Sequence, residues 1–241
     1  MSGAGLTGTP RGLEVVAASG LAIEARIAAG SDVRAIAGGL DAPALMAALE
    51  REVNRGACGI ISFGIAGGLA PGMMPGTWLV GRGIVTSGAY RPCAGAWTAL
   101  LRERLPGACF ADIAAADAPV IDANAKRALY RATSAVAVDT ESHIAAAVAA
   151  AHGIPFAAFR VIADPAERAL PPAASAALRP GGTINVTAVM RSIARTPSQL
   201  PLLLRTTIDA RTAFRALLRG RRRLGARLGC AGMRSLDLDV V

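Results

Sequence analysis

Gly59-Ile60-Ile61-Ser62-Phe63-Gly64, running on into Ile65-Ala66-Gly67-Gly68-Leu69, is the stretch that decides the fold. Its first six residues are apolar or small and carry no charge, the pattern of a strand buried on both faces. Gly64-Ile65-Ala66-Gly67-Gly68 then reads as a turn where backbone approaches a neighbour closely. It matches neither G-x-G-x-x-G nor the Walker pattern. Upstream, Val15-Val16-Ala17-Ala18 reads as a second buried strand, ending in the turn Ser19-Gly20. Ala42 to Asn54 places Leu45, Met46, Leu49 and Val53 on one face of a helix. Downstream, Trp78-Leu79-Val80 and Ile84-Val85 are short strands around Gly81-Arg82-Gly83. Helices are expected at Ala96 to Leu105, Asn124 to Thr133 and Glu141 to His152, the last stopped by Gly153. Strands are expected at Ala135 to Val138 and Phe156 to Ile162, the second ended by Asp164-Pro165. Alternating strands and helices predict an α/β fold: one domain, with a central mixed, largely parallel sheet flanked by helices. The site of such a sheet lies beyond the carboxyl ends of its strands.

Composition narrows the function classes. The 241 residues are 53% hydrophobic and 18% charged, enough to bury a core and too apolar for a disordered chain. Cys58, Cys93, Cys109 and Cys230 show no C-x-x-C spacing, which argues against a disulfide scaffold or a zinc ribbon. His143 and His152 lie nine positions apart, whereas a helical metal pair needs three or four. No metal site or organic cofactor is expected. The net charge of +9 suggests a nucleic-acid partner. Against this, Lys126 is the only lysine among 26 basic residues, and five Phe, two Tyr and two Trp offer few stacking platforms. No nucleic-acid partner is therefore expected.

The longest uncharged stretch, Ala57 to Gly81, holds seven glycines with Pro71 and Pro75, a poor membrane span. Glu24 cuts off the apolar run Val15 to Ile23, which argues against a secretory signal. A cytoplasmic protein is the expectation. The chain divides into a Gly-rich leader over 1–12, the α/β domain over 13–197, a helical extension over 198–226 and a tail over 227–241. In the extension, Leu200, Leu204, Ile208, Phe214 and Leu217 interleave with Arg205, Arg211, Arg215 and Arg219 before Arg221-Arg222-Arg223. This is a basic amphipathic helix. It reads either as a surface helix with a solvated Arg face or as a contact with an anionic membrane surface.

Three acidic or basic positions near strand ends stand out. Asp139-Thr140-Glu141 precedes an Ala-rich helix, where carboxylates suit the N-terminus through capping and the helix dipole. Arg160 lies in an otherwise apolar strand and so needs a buried carboxylate partner. Asp164 ends that strand, as a cap before Pro165 or as a general acid. There is no G-x-S-x-G elbow, and neither Cys nor His has a partner that would make a nucleophile.

Together these segments resemble the purine nucleoside phosphorylase and nucleosidase superfamily over about residues 14 to 195. Gly64-Ile65-Ala66-Gly67-Gly68-Leu69, with Pro75-Gly76-Thr77-Trp78-Leu79-Val80, resembles its G-x-A-G-G-L … G-D-x-x-x stretch. Ala137-Val138-Asp139-Thr140-Glu141-Ser142 is similar to V-(D/E)-M-E-(S/A), and Arg160-Val161-Ile162-Ala163-Asp164 to R-x-I-S-D. The S-F-G-I-A-G-G-L form of the Gly stretch and the Arg-rich helix after Pro197 look like the hopanoid-associated branch.

The resemblance implies cleavage of an N-glycosidic bond. In that branch it implies phosphorolysis of adenosylhopane, a nucleoside with a lipophilic 5′ group, with inorganic phosphate as co-substrate. It implies that Asp164 protonates the leaving purine at N7 and that Glu141 accepts hydrogen bonds from the ribose hydroxyls. Arg160 would support this region, and Gly67 and Gly68 would let backbone approach the ligand. Ala116-Asp117-Ala118-Pro119-Val120 stands where nucleosidases carry G-D-A-F-I at the purine pocket. Thr140 replaces the usual Met beneath the ribose, Pro119 an aromatic near the base, and Ile65 a Ser or Thr near the nucleophile. Glu24 resembles the water-positioning Glu of nucleosidases, while Gly20 and Arg26 stand near where phosphorylases of one branch hold phosphate. Hydrolysis on a 5′-substituted adenosine thus stays open beside phosphorolysis, as does a non-catalytic nucleoside- or lipid-binding role. The resemblance also implies a homo-oligomer, and the lipophilic substrate gives the basic helix a reason to meet the inner face of a membrane.

Overall fold

The structure, a computed structural model, describes residues 14–176, 180–183 and 185–230. The expected leader over 1–12 and residues 231–241 of the expected tail lie outside the described residues. The fold is a single α/β domain with a mixed central sheet. Its strands are β1 (Val15–Ser19), β2 (Val33–Ala37), β3 (Gly59–Gly68), β4 (Trp78–Val85), β5 (Tyr90–Pro92), β6 (Cys109–Ala115), β7 (Ala137–Asp139) and β8 (Phe156–Asp164). Between and after them run α1 (Ala22–Ala28), α2 (Ala42–Asn54), α3 (Gly95–Arg104), α4 (Ala123–Thr133), α5 (Ser142–Ala151), α6 (Pro172–Ala176), α7 (Val186–Arg195) and α8 (Leu200–Leu224).

The order is β2-β1-β3, with β8 between β3 and β4, then β4-β6-β7. The β1–β2, β1–β3, β3–β8, β4–β6 and β6–β7 ladders are parallel, and the β3–β7, β4–β5 and β4–β8 ladders antiparallel. Because β7 returns to pair with Gly67 and Gly68, strands β3, β8, β4, β6 and β7 close into a ring.

The central run differs from its sequence reading. Gly64 to Gly68 is not a turn but the second half of β3, paired with Arg160 to Asp164 and then with β7. A register shift in the β3–β8 ladder falls between Ala66 and Gly67, and Gly67 pairs with both Asp164 of β8 and Val138 of β7. Glycine there permits close approach: a Cβ on Gly64 would stand 2.7 Å from the Glu24 carboxyl carbon. Likewise β4 runs unbroken through Gly81-Arg82-Gly83.

Side-chain alternation divides the core in two. Val15, Ala17, Ile61, Phe63 and Phe159 face Trp97, Leu101, Ala213, Leu217 and Leu224, on the side of α1, α3 and α8. Val16, Ala18, Ile60, Ala158 and Ile162 face Leu45, Leu49, Ile144 and Val148, on the side of α2 and α5. Strands covered on both faces are mostly apolar, hence their long hydrophobic runs, which Ser62 in β3 and Arg160 in β8 interrupt.

The C-terminal helix is no appendage at position 198. The second half of α8 buries Ala213, Ala216, Leu217, Gly220 and Leu224 in the domain core. The Trp78 indole donates to the Ala216 carbonyl at 2.9 Å, and Arg221 Nε donates to the Ala28 carbonyl at 2.9 Å. Only its first half projects Leu204 and Ile208 outward, 65% and 63% exposed. No described helix is long and apolar enough to cross a membrane.

Candidate active site

The carboxyl ends of β1, β3, β7 and β8 meet around one cavity of about 190 Å³. That is where an α/β sheet leaves unfilled space, because each strand end turns away into a helix or loop. β1 delivers Gly20 and Leu21, and the first turn of α1 brings Glu24 beneath them. β3 delivers Ile65 and Gly67, and the β7–α5 junction delivers Thr140 and Glu141. β8 ends at Asp164. Ala118, Pro119 and Val120 form one wall, and Leu40 and Leu170 an apolar rim.

Each carboxylate is held differently. Glu24 is fully buried; its Oε2 accepts from the Leu21 amide and its Oε1 from the Ile65 amide, both at 2.7 Å. Burial pushes its carboxyl up, opposed by the Arg160 charge and by these amide bonds. The junction Asp139-Thr140-Glu141 splits its work. Asp139 does the capping, accepting from the Glu141 amide at 3.1 Å and the Ser142 amide at 2.8 Å. Glu141 makes no side-chain cap and lines the cavity instead. Its Oε1 accepts from the Thr140 hydroxyl, and Arg160 Nη2 reaches its Oε2 at 3.3 Å. Burial pushes the Glu141 carboxyl up to about 7 against the pull of Arg160, with the Asp139 and Glu24 charges adding to the rise.

Arg160 finds the carboxylate partners its apolar strand demanded. Its Nε lies 2.8 Å from Asp139 Oδ2, and Nη2 donates to Ser62 Oγ at 2.5 Å. Nη1 donates to the Ile65 carbonyl at 3.3 Å. With every nitrogen turned to protein, Arg160 is the floor of the site and does not line it. A Cβ on Gly20 would stand 2.7 Å from Glu141 Oε1, so that glycine keeps the space above the carboxylate open.

Of the residues singled out in the sequence, Asp164, Glu141, Glu24, Gly67, Thr140, Pro119, Val120, Ile65 and Gly20 all line the cavity. Gly68 does not; it packs against the Asp164 carbonyl, where a Cβ would be 3.0 Å away. Arg26 is exposed on α1 and lies outside the cavity lining. Among the described residues, no Arg or Lys lines the cavity, and no cluster of His, Cys, Asp and Glu could hold a metal ion.

Sequence reasoning passed over Lys126. It is fully buried, and its ammonium donates to Asp164 Oδ2, to the Pro165 carbonyl at 3.1 Å and to the Arg168 carbonyl at 3.0 Å. Its one signal in the sequence is its being the sole lysine in an arginine-rich chain. Burial pushes the Asp164 carboxyl up, and Lys126 pulls it back.

A search of curated proteins finds no match. Among solved structures, a mutant futalosine hydrolase of Helicobacter pylori strain 26695 superposes with a TM-score of 0.61 at 13% identity, covering 87% of this chain and 98% of that one. The 5′-methylthioadenosine/S-adenosyl homocysteine nucleosidase of Helicobacter pylori gives 0.60 at 15% identity, covering 88% and 99%. The S-adenosylhomocysteine nucleosidase of Streptococcus pyogenes gives 0.55 at 17%, covering 85% and 98%. At such identities the likeness concerns the fold. The family model described as the phosphorylase superfamily matches residues 17–195, the span that supplies most of β1, all of β2 to β8 and every cavity residue described above, and the chain belongs to that superfamily.

Proposed function

We propose that this protein cleaves the N-glycosidic bond of an adenine nucleoside bearing a large apolar 5′ substituent. The observation that carries the reading is the convergence of Glu24, Glu141 and Asp164 on one cavity. Bond cleavage develops positive charge on the sugar and negative charge on the purine. A protonated Asp164 relieves the second at N7, and an ionised Glu141 on the ribose hydroxyls orients the sugar and offsets the first. Acid assistance of this kind contributes about 10²–10⁴ in rate. Solved neighbours of the same fold are named for 5′-methylthioadenosine and S-adenosylhomocysteine, adenine nucleosides substituted at the 5′ position.

The nucleophile is water in this reading. The cavity is ringed by carboxylates, and among the described residues no cation lines it, a setting that repels a phosphate dianion. Glu24, anchored by two amides, is placed to orient a water and take its proton as the C1′–N9 bond breaks. Phosphorolysis is the second reading, supported by resemblance to the hopanoid-associated branch. It requires a cation from a neighbouring subunit of a homo-oligomer.

The apolar side chains of Leu21, Leu40 and Leu170 in the cavity lining support the lipophilic substituent. Adenosylhopane fits that chemistry. The Asp164 loop is tied to α8 by the Arg168–Asp209 ion pair, beside the outward Leu204 and Ile208. A membrane carrying the substrate would meet this apolar face, flanked by exposed Arg205 and Arg211.

The test is release of adenine from a 5′-alkyl adenosine with and without phosphate. Equal release in both, with a free sugar as co-product, is the expected result. Release only with phosphate, with a sugar 1-phosphate, replaces water by phosphate. No release in either removes the enzymatic reading.

A further inference from the structure

Lys126 sits in the first turn of α4, outside the cavity lining, and grips Asp164 from behind. Its three ammonium hydrogens match three acceptors, Asp164 Oδ2 and the carbonyls of Pro165 and Arg168. A buried ammonium is expensive to keep, and here every donor is spent on the segment that carries the proposed acid. Asp164 Oδ2 is thereby occupied, and Oδ1 is left for a base in the cavity. Gly67 lies directly beside this carboxyl, where a Cβ would be 3.5 Å from either oxygen.

Resting on the reading of Asp164 as the acid at the leaving purine, we propose that Lys126 is a positioning residue that acts through Asp164. It presents Oδ1 to the base and stabilises the carboxylate left when the proton departs. In the step, the proton moves from Asp164 Oδ1 to purine N7. The C1′–N9 electron pair passes to the purine, and Asp164 remains as a carboxylate paired with the Lys126 ammonium. Lys126 keeps its own proton throughout. Burial alone would make Asp164 a weak acid; the ammonium behind it makes the same group readier to give its proton up.

Two measurements test this. In the first, Lys126→Met, Lys126→Arg and Asp164→Asn are compared on a 5′-alkyl adenosine across pH. Lys126→Met is expected to lower kcat about 10²-fold, leave KM within a few-fold, and move the basic limb of kcat/KM to higher pH. Lys126→Arg is expected to restore the limb in part, and Lys126→Met to add nothing to kcat on the Asp164→Asn background. An unshifted limb with normal kcat in folded Lys126→Met overturns the proposal. Full activity in Asp164→Asn instead overturns the reading beneath it, so the two failures are distinguishable.

The second measurement needs no Lys126 variant. Because the chain has one lysine, labelling lysine with ¹⁵N yields a single side-chain ammonium resonance. It is expected to exchange slowly and to follow an ionisation that vanishes in Asp164→Asn. A fast-exchanging signal indifferent to Asp164→Asn overturns the proposal.

Discussion

The Ile65 amide donates to Glu24 Oε1 at 2.7 Å, joining the first helix to the end of the central strand across 41 positions of sequence. With Oε2 held by the Leu21 amide, the Glu24 carboxylate is locked in one orientation before any substrate arrives. Glu24→Gln keeps the size but loses the charge, and its amide nitrogen must face one of the two N–H donors. A kcat about 10²–10⁴-fold lower, with KM little changed, is expected for adenine release in phosphate-free buffer. Unchanged turnover would remove Glu24 from the role of base.

Glu141 sets the pH dependence. Its carboxyl is pushed up to about 7 chiefly by burial, and in the proposed reaction it would hold the ribose hydroxyls as a carboxylate. The acid limb of kcat/KM is therefore expected to turn near pH 7. Stability runs the other way. The folded value lies above the unfolded one, so the folded chain binds more protons between the two, and stability falls as pH rises toward and through 7. Glu24 and Asp164, also raised, act with the same sign. Tm measured against pH for wild type and Glu141→Gln checks this. The variant should gain on wild type as pH rises, and parallel curves would refute the assignment.

How far the sequence could be read depended on burial. β1, β3 and β8 were legible because strands covered on both faces are mostly apolar or small, with Arg160 the conspicuous exception in β8. β6 was missed because Asp112 interrupts it, and only the fold reveals Arg82 donating to that carboxylate at 3.0 and 2.6 Å. β2 was missed because Arg34 stands in it, beside Glu52 of α2 at 3.6 Å. At the site, Asp164, Glu141 and Glu24 were legible from motifs. That Asp139 alone caps α5 was not, since both carboxylates suit a helix start equally well. Lys126 was illegible because a lysine early in a helix ordinarily points to water. Only the fold brings the end of β8 within reach of α4 and makes Lys126 a partner of Asp164.

Gly220 tests whether α8 is core or appendage. A Cβ there would stand 2.4 Å from Phe159 Cζ, in a ring pair whose other member, Phe63, lies 5.6 Å away between centroids. Gly220→Ala relieves a helical glycine, worth about 1 kcal/mol in an exposed helix, yet must displace a packed ring. The clash is expected to prevail, costing about 1–3 kcal/mol and lowering Tm by several degrees. A raised Tm would show that α8 docks more loosely than its contacts imply.

Cys58 offers a probe remote from the cavity. Its sulfur accepts from Arg227 Nη2 at 3.2 Å, and a hydrogen bond from Cys230, with the Arg227 charge, pulls its thiol down to about 6. It is expected to alkylate faster at pH 7 than the buried Cys93, whose thiol burial pushes up to about 12. Alkylation rate against pH, followed by mass spectrometry, should show a midpoint near 6 that rises in Arg227→Ala. A midpoint near the ordinary thiol value of about 8.5 would contradict this.

The proposed membrane contact is tested on the first half of α8. Removing the whole helix is the wrong experiment, because Ala213 to Leu224 belong to the core and truncation at Pro197 would expose it. Leu204→Ser with Ile208→Ser leaves that packing intact, since both side chains point to solvent. Vesicles containing phosphatidylglycerol are expected to sediment with the wild-type chain, and severalfold less with the double variant. Added salt should weaken binding, because Arg205 and Arg211 contribute through charge. The double variant should also lose turnover on a long-chain 5′-alkyl adenosine presented in vesicles while keeping it on a short-chain analogue in solution. Equal sedimentation of the two proteins, or equal turnover on the vesicle-borne substrate, would leave Leu204 and Ile208 without a role at the lipid surface.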